Sequence, residues 1–136
     1  MISIKSNREI ELMKIPCQIV AAALELMREA VKPGISTHEL DRIADDFITK
    51  QGAEPAFKGV PCSVPGGIDF PATACISVND EVIHGIPGNR VLKEGDIVSI
   101  DLGAYLGGFY ADAARTFPVG KVSDKAAKLI EVTKQC

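Results

Sequence analysis

The amino-acid sequence predicts an α+β fold in which helices pack on an antiparallel sheet. Two early stretches repeat apolar residues at helical spacing, and two later strand-like stretches flank a glycine-containing turn typical of a hairpin. The chain has 136 residues, of which 46% are hydrophobic and 24% are charged. This length and composition suffice for one buried core and are too small for two sizeable domains. We therefore expect a single domain over residues 1–136.

The first predicted helix begins directly after Ser6. Ser6 and Glu9 have the spacing of a capping box, in which each side chain accepts a hydrogen bond from a backbone N–H of the first turn. Pro16 is expected to bend the helix near its first turns, and Lys32-Pro33-Gly34 ends it. Apolar residues spaced alternately by three and four form one stripe that we expect to face the core: Ile10, Met13, Cys17, Val20, Leu24, Met27 and Val31.

A second helix is predicted from Ser36, where Ser36-Thr37-His38-Glu39 repeats the capping-box pattern. Gly52 ends this helix. Its apolar residues also fall on one face, and both faces are expected to contact the core rather than a partner. The residues of this second face are Leu40, Ile43, Ala44, Phe47 and Ile48.

The segment 53–71 is predicted to be mostly loop, because prolines and glycines recur along it. A loop of this length within a compact domain is usually functional or mobile. Two short strands, 73–78 and 81–83, are predicted to follow on either side of the turn Asn79-Asp80.

A hairpin is predicted from residues 96–104 and 109–119, around Tyr105-Leu106-Gly107-Gly108. Ser123 and Asp124 then favour the start of a third helix, which continues through apolar residues to Cys136.

Two aspartates are the informative residues of the hairpin, because strands disfavour this residue type. Asp101 lies in the first strand and Asp112 in the second. A four-residue loop from Tyr105 to Gly108 places them directly opposite each other, whereas a Gly107-Gly108 loop pairs Asp112 with Gly103. Since Asp101 and Gly103 share a face, the two carboxylates are neighbours in either register.

Two adjacent carboxylates on a half-buried sheet repel each other and lose hydration, so they need a shared proton or a cation. Their oxygens can bind one divalent metal ion or bridge two. The alternative is structural: one aspartate caps a turn or pairs with Arg115 while the other faces solvent. Spacing alone leaves both interpretations open, because it does not fix the register of the sheet.

Three further polar residues have positions that bear on their roles. His84 lies between the apolar pair Val82-Ile83 and a Gly-Ile-Pro turn, where it is either a site residue or a structural histidine. His38 lies in the first turn of a helix and is expected at the surface. Cys75 precedes an apolar strand and, by position, is most simply a small core residue.

Composition excludes several classes of protein. The net charge of −3 and the pI near 5.4 argue against nucleic-acid binding driven by bulk charge. The apolar runs are too short to cross a membrane, and the charged start lacks the apolar core of a secretory signal. The four cysteines, at positions 17, 62, 75 and 136, include no C-x-x-C pair and fit a reducing compartment. We therefore expect a cytoplasmic protein with no nucleic-acid or membrane partner.

The segment from Cys75 to Pro87, CISVNDEVIHGIP, closely resembles the signature segment of type I methionine aminopeptidases. The resemblance continues through 92–101, LKEGDIVSID, and 108–112, GFYAD. Ile4-Lys5-Ser6 and 32–37, KPGIST, also match, so the similarity covers nearly the whole chain. Related proline-directed peptidases share the aspartate pair but not the stretch 79–87.

This resemblance implies removal of the initiator methionine from new polypeptides, at a site with two divalent ions of cobalt, manganese, iron or zinc. Asp101 matches a metal-binding aspartate, and Asp112 matches the aspartate that bridges both metals. His84 matches a histidine that contacts the substrate near the scissile amide. Cys75 and Phe70 match positions that line the methionine side-chain pocket. The implied partners are nascent chains and other peptides with an N-terminal methionine.

The resemblance also implies a fold of two related halves about a pseudo-two-fold axis, the "pita-bread" fold, with the site between them and a curved sheet in each half. The present sequence matches the first half, so we expect residues 1–136 to be a partial catalytic domain. A metal-binding histidine, a second substrate-contacting histidine and two metal-binding glutamates belong to the later half. We therefore expect weak or partial metal binding and little activity from this chain alone. The loop 60–68 looks longer than its counterpart in the family.

Two other functions stay open. One is a non-catalytic binding or assembly module, whose copies self-associate through open sheet edges and imitate the intact two-fold arrangement. The other is a proline-directed relative of the same fold, against which the segment around His84 argues.

Overall fold

The computed structural model describes residues 2–136 and confirms the α+β class. Three helices accompany one four-stranded sheet in which every strand pairing is antiparallel. The elements in chain order are α1 (Asn7–Ala30), α2 (Thr37–Lys50), β1 (Glu54–Pro55), β2 (Ala74–Val78), β3 (Ile97–Leu106), β4 (Phe109–Pro118) and α3 (Asp124–Gln135).

Strand β3 is the centre of the sheet. It pairs with β4 along its whole length on one side. On its other side it pairs with β2 at residues 98–102 and with β1 at residues 104–105. The position of every other strand therefore depends on β3.

The hairpin turn is the two-residue loop Gly107-Gly108, since Leu106 pairs with Phe109. Both glycines have positive φ, 63° and 90°. Two-residue loops with positive φ at both positions match the right-handed twist of the flanking strands, and glycine adopts them without strain. Of the two registers left open by the sequence, the structure has the one that pairs Asp112 with Gly103.

One face of the sheet and the two long helices enclose the core. Helix α1 packs on β3 and β4, and α2 packs on α1, β1 and β2. Alternate residues of β3 point to these helices and are fully buried: Val98, Ile100, Leu102 and Ala104. The helices meet them with Val20, Leu24 and Met27 from α1 and Leu40, Ala44 and Ile48 from α2.

Both predicted capping boxes are present, with Ser6 and Glu9 at α1 and Ser36 and Glu39 at α2. Pro16 lies inside α1 without ending the helix. These starts were predictable because a capping box involves only residues three apart in the sequence. Ser123 likewise caps α3 as expected, accepting from the Ala126 N–H.

The predicted core stripe of α1 is wrong over its first turns. Ile10 is 43% exposed, Cys17 is exposed and Met13 is only partly buried. The buried residues of α1 begin at Pro16, and the side chains of Ile10, Met13 and Cys17 instead line an open groove together with Ile4 and Ala21.

The predicted strand at 81–83 is also wrong, because these residues form a loop. The Glu81 carboxylate accepts hydrogen bonds from the Val78 N–H at 2.7 Å and from the Arg90 guanidinium at 2.8 Å. The chain therefore turns back at Glu81 instead of extending, and Val82 and Ile83 are exposed.

Helix α3 contacts the sheet at β4 and buries none of its residues. Its apolar side chains Leu129 and Val132 are therefore exposed. No helix within residues 2–136 is long and apolar enough to span a membrane.

The core assignment predicts effects of very different size for the same substitution at two helical leucines. Leu24 is 1% exposed and Leu129 is 57% exposed. Leu24→Ala should lower the free energy of unfolding by about 2–5 kcal/mol, because it leaves a cavity between α1 and the sheet. Leu129→Ala should change it by less than about 0.5 kcal/mol. Urea unfolding followed by circular dichroism measures both values, and equal losses would show that α3 is as well packed as α1.

Candidate metal centre on the second face of the sheet

The face of the sheet turned away from α1 and α2 carries small and polar side chains, and we call it the polar face. The alternation of side chains along each strand and the register of the strand pairs determine which residues belong to this face. Its hydroxyls are partly paired, with Ser99 Oγ 2.8 Å from Thr116 Oγ1. The residues of the polar face are Cys75 and Ser77 on β2, Ser99, Asp101 and Gly103 on β3, and Asp112, Ala114 and Thr116 on β4.

Asp101 and Asp112 are diagonal neighbours on the polar face. Asp112 pairs with Gly103, which lies two residues from Asp101 on the same side of β3. Diagonal neighbours in an antiparallel pair are about 7–8 Å apart at their backbones and closer at their side chains. The two carboxyl groups are near enough to hydrogen-bond when one is protonated. The structural alternative with Arg115 does not apply, since Arg115 points to the other face and pairs with Glu25 of α1.

The environment of Asp101 disfavours its negative charge. Burial raises the pKa of this carboxyl, and the charge and hydrogen bonding of Asp112 raise the pKa further. The nearby His84 acts in the opposite direction and lowers the pKa of Asp101. One oxygen, Asp101 Oδ1, is buried without a hydrogen-bond partner among the described residues. A buried acceptor without a donor is destabilising unless a proton or a cation approaches it.

The carboxylate pair fits divalent metal ions in its chemistry but not in its ligand number. Carboxylate oxygens bind manganese, iron, cobalt and zinc, and the unpartnered Asp101 Oδ1 is available to such an ion. Within residues 2–136, no group of three or more His, Cys, Asp or Glu side chains is placed to hold a metal ion. A complete site needs at least three protein ligands in most enzymes, so the pair is a partial site.

His84 is exposed and lies on the loop that follows β2. Its φ of 57° is in the left-handed region, which residues other than glycine seldom adopt. The next residue, Gly85, is hydrogen-bonded to β2: the Ile76 N–H donates to the Gly85 carbonyl at 2.8 Å, and the Gly85 N–H donates to Ser77 Oγ at 3.0 Å. The loop therefore fixes His84 at the edge of the polar face. His38 is exposed, as expected.

Cys75 is buried, but it faces the polar face rather than the helical core. It pairs directly with Asp101 across the β2–β3 ladder. Burial and the negative charges of Asp101, Asp112 and Asp41 raise the pKa of this thiol to about 11. The thiol therefore stays neutral at physiological pH, and the structure places it beside the carboxylate pair.

Phe70 is half-buried at the base of the long loop predicted at 60–68. The loop is closed by two backbone hydrogen bonds, from Gly59 N–H to the Phe70 carbonyl at 2.8 Å and from Phe70 N–H to the Val60 carbonyl at 2.9 Å. All residues between Val60 and Asp69 are exposed. The role of Phe70 in a side-chain pocket stays a prediction.

The sequence analysis missed Phe57, which packs over the polar face. A Cβ built on Gly103 would lie only 2.9 Å from Phe57 Cε1 and 3.0 Å from the Ala56 Cβ. The aromatic ring therefore covers the strand position that faces Asp112. A glycine inside a strand is itself a signal of such a close approach.

Asp41 is a second residue that sequence reasoning missed. Its carboxylate accepts hydrogen bonds from the N–H groups of Thr73 at 2.9 Å and Ala74 at 2.8 Å, which fixes the start of β2 on α2. Burial raises the pKa of Asp41, and the two N–H donors oppose this increase. No pattern within a single segment predicts this contact, because the partners are more than thirty residues apart.

A pair of carboxylates on the open face of a helix-backed sheet is typical of a metal-dependent enzyme. The chain belongs to metallopeptidase family M24, which it matches over residues 11–136. Divalent metal use is a property of this family's class. The sequence resemblance stated above is thereby confirmed at the level of the family.

Individual proteins and solved structures are also similar to this chain. The chain is 54% identical over 135 residues to a methionine aminopeptidase of Clostridium perfringens, with 99% of this chain and 51% of that protein covered. The crystal structure of a Thermotoga maritima methionine aminopeptidase superposes with a TM-score of 0.90 at 40% identity, covering 99% of this chain and 52% of that chain. A prolidase of Pyrococcus furiosus shares the fold at 24% identity with a TM-score of 0.79. The chain spans about half the length of the methionine aminopeptidases that it matches.

The raised pKa of Asp101 predicts how stability depends on pH. The folded state binds the Asp101 proton more tightly than the unfolded state, so this group makes stability fall as pH rises from the ordinary aspartate pKa through the raised one. Asp101→Asn removes the charge, and at pH 7 it should increase the free energy of unfolding by about 1 kcal/mol. The gain should disappear below about pH 3.9, where the wild-type carboxyl is protonated in both states.

Urea unfolding between pH 3 and pH 8, with a chelator present, measures this difference. Asp46→Asn is the matched control, because Asp46 is exposed on α2. The control should leave stability nearly unchanged at every pH. A loss of stability in Asp101→Asn at pH 7 would contradict the account of a strained carboxylate.

Proposed function

We propose that residues 1–136 form the first, metal-binding half of a methionine aminopeptidase catalytic domain, which removes the initiator methionine from new polypeptides. The supporting observation is the Asp101–Asp112 pair, with its buried unpartnered oxygen. The pair occurs in a chain that is 54% identical to a protein named methionine aminopeptidase. The carboxylate pair supports the metal-dependent chemistry, and the sequence identity supports the substrate. The proposal needs both observations.

In this proposal Asp101 and Asp112 would both hold divalent ions, of cobalt, manganese, iron or zinc, on the polar face. Such ions, when bound, stabilise the negative charge that develops on the carbonyl oxygen of the first peptide bond. The chain's own contribution is to fix two carboxylates side by side on a rigid sheet, with the hairpin setting their separation. The remaining ligands come from the part of the relatives' length that this chain does not span.

His84 contacts the substrate near the scissile amide in this proposal. Its imidazole is exposed and close enough to Asp101 to act on the charge of that carboxyl. A ring nitrogen at this position can donate a hydrogen bond to the substrate beside the carboxylate pair. His84 therefore orients the peptide bond rather than holding a metal ion.

Cys75 and Phe70 line the pocket for the methionine side chain. The Cys75 thiol is buried and, with a pKa of about 11, uncharged at neutral pH, so it suits contact with an apolar thioether. Phe57, which covers Gly103, adds an aromatic wall on the same face. The substrates are nascent chains and other peptides with an N-terminal methionine, and we place the protein in the cytoplasm, where such chains are made.

A second candidate is the non-catalytic assembly module. It is supported by α3, whose Leu129 and Val132 are exposed although helices usually bury their apolar stripe. Pairing of two copies over this surface would give a stable dimer. The proline-directed alternative is supported by the fold shared with prolidases and by the aspartate pair, and the segment around His84 argues against it.

The experiment is methionine release from the peptide Met-Ala-Ser with Mn²⁺. It compares the 136-residue chain alone with the chain mixed with the second half of the Clostridium perfringens relative. The mixture should release methionine, and the chain alone should be about 10²–10⁴-fold slower because it lacks the acid–base group of the complete site. Asp101→Ala/Asp112→Ala should abolish release in the mixture, whereas Asp46→Ala should retain it.

A folded complex of both halves, verified by size-exclusion chromatography, that releases no methionine would contradict the proposal. Cleavage of Ala-Pro-Ser in place of Met-Ala-Ser would favour the proline-directed alternative. A stable dimer of the chain in light scattering, without activity in the mixture, would favour the assembly module.

A further inference from the structure

Backbone strain is concentrated at His84. Only Asn79 and His84 among the non-glycine residues within 2–136 have positive φ, and asparagine tolerates this region better than most side chains. A residue keeps such a conformation only when its surroundings impose it. The contacts next to His84 therefore determine where its side chain points.

Two contacts with β2 hold the residue after His84. The Gly85 carbonyl accepts the Ile76 N–H at 2.8 Å, and the Gly85 N–H donates to Ser77 Oγ at 3.0 Å. The approach is so close that a Cβ on Gly85 would lie 2.4 Å from the Ile76 carbonyl oxygen. Gly85 is thus pressed onto the strand, and Ser77 supplies the only side-chain contact in this pair of hydrogen bonds.

Ser77 also lies on the polar face, two residues from Cys75 and directly opposite Ser99. Ser77 is only 4% exposed, so water has little access to its hydroxyl as a competing hydrogen-bond partner. The more distant anchors of the loop do not involve it. Glu81 is bonded to Val78 and Arg90, and Gly88 exchanges two hydrogen bonds with Thr37 at the start of α2.

From this geometry we infer that Ser77 is a positioning residue. Its hydroxyl, by holding the Gly85 N–H, maintains the left-handed backbone of His84 and directs the imidazole toward the carboxylate pair. The more distant anchors keep the loop attached to the fold, and the Ile76 N–H holds the Gly85 carbonyl. The Ser77 hydroxyl holds the amide that directly follows His84 and so sets the direction of that side chain. The functional value of this contact rests on the proposed role of His84 in substrate binding.

The test uses nuclear magnetic resonance on the 136-residue chain, with three variants. Ser77→Ala removes the acceptor, and Ser77→Thr retains a hydroxyl. Ser99→Ala is the matched control, because it removes a hydroxyl from the opposing residue of the same face, where the hydroxyl bonds Thr116 and not Gly85. The first readout is hydrogen exchange of the Gly85 amide, and the second is the set of His84 backbone couplings and chemical shifts that report φ.

Ser77→Ala should accelerate Gly85 amide exchange about tenfold and shift the His84 couplings away from left-handed values. Ser77→Thr should restore both readouts, and Ser99→Ala should leave both at wild-type values. Unchanged His84 couplings in Ser77→Ala would overturn the inference, as would an equal change in Ser99→Ala. If Ser77→Ala does not fold, Gly85 exchange in the wild-type chain decides: a protected amide supports the inference and an unprotected one overturns it.

A third readout separates this inference from the proposed metal site. Mn²⁺ bound at Asp101 and Asp112 broadens nearby proton resonances, and the His84 ring should broaden in wild type and several-fold less in Ser77→Ala. No broadening in the wild-type chain at any Mn²⁺ concentration would count against the proposed metal site. The first two readouts need no metal, so they decide the role of Ser77 in that case as well.

Discussion

The alternation of side chains along β3 is the constraint on which the rest of the structure depends. Even-numbered and odd-numbered residues of this central strand point to opposite faces. Residues 98, 100, 102 and 104 pack in the core against the helices, and residues 99, 101 and 103 lie on the polar face. A shift of the β3–β4 register by one residue would exchange these faces and place a carboxylate in the core. The Gly107-Gly108 turn prevents that shift, because its length and positive φ values set the register of the whole hairpin.

The polar face carries groups that are unfavourable for folding. Two carboxyl groups are diagonal neighbours there, and one of them has an oxygen that no described donor reaches. The Cys75 thiol beside them is neutral at physiological pH, because burial and the nearby carboxylates raise its pKa. Two glycines let other segments approach the sheet closely: Gly103 lies beneath Phe57 on this face, and Gly85 lies against the backbone of β2. These groups on the polar face disfavour folding, and the apolar core on the opposite face offsets that cost.

Local signals in the sequence predicted the helices, the hairpin and the neighbouring aspartates. A capping box needs residues only three apart, and a strand pair separated by Gly-Gly has few possible registers. Features that depend on distant partners were not predictable. Residues 81–83 fit a strand pattern, but the Glu81 side chain accepts hydrogen bonds from Val78 and Arg90. Ile10 and Cys17 fit a core stripe, but both are exposed in the fold. The roles of Phe57 and Asp41 were not predictable for the same reason, because their contacts with the sheet join segments that are distant in the sequence.

The central claim is that the polar face binds divalent metal ions through Asp101 and Asp112. The most direct measurement is a titration of the 136-residue chain with Mn²⁺. Binding is measured as the loss of the free-ion signal in electron paramagnetic resonance. Binding is predicted to be weak, to be lost in Asp101→Asn and in Asp112→Asn, and to persist in Asp46→Asn. Equal binding by the wild type and by the Asp101→Asn/Asp112→Asn double variant would show that the carboxylate pair is not the metal site and would contradict the account.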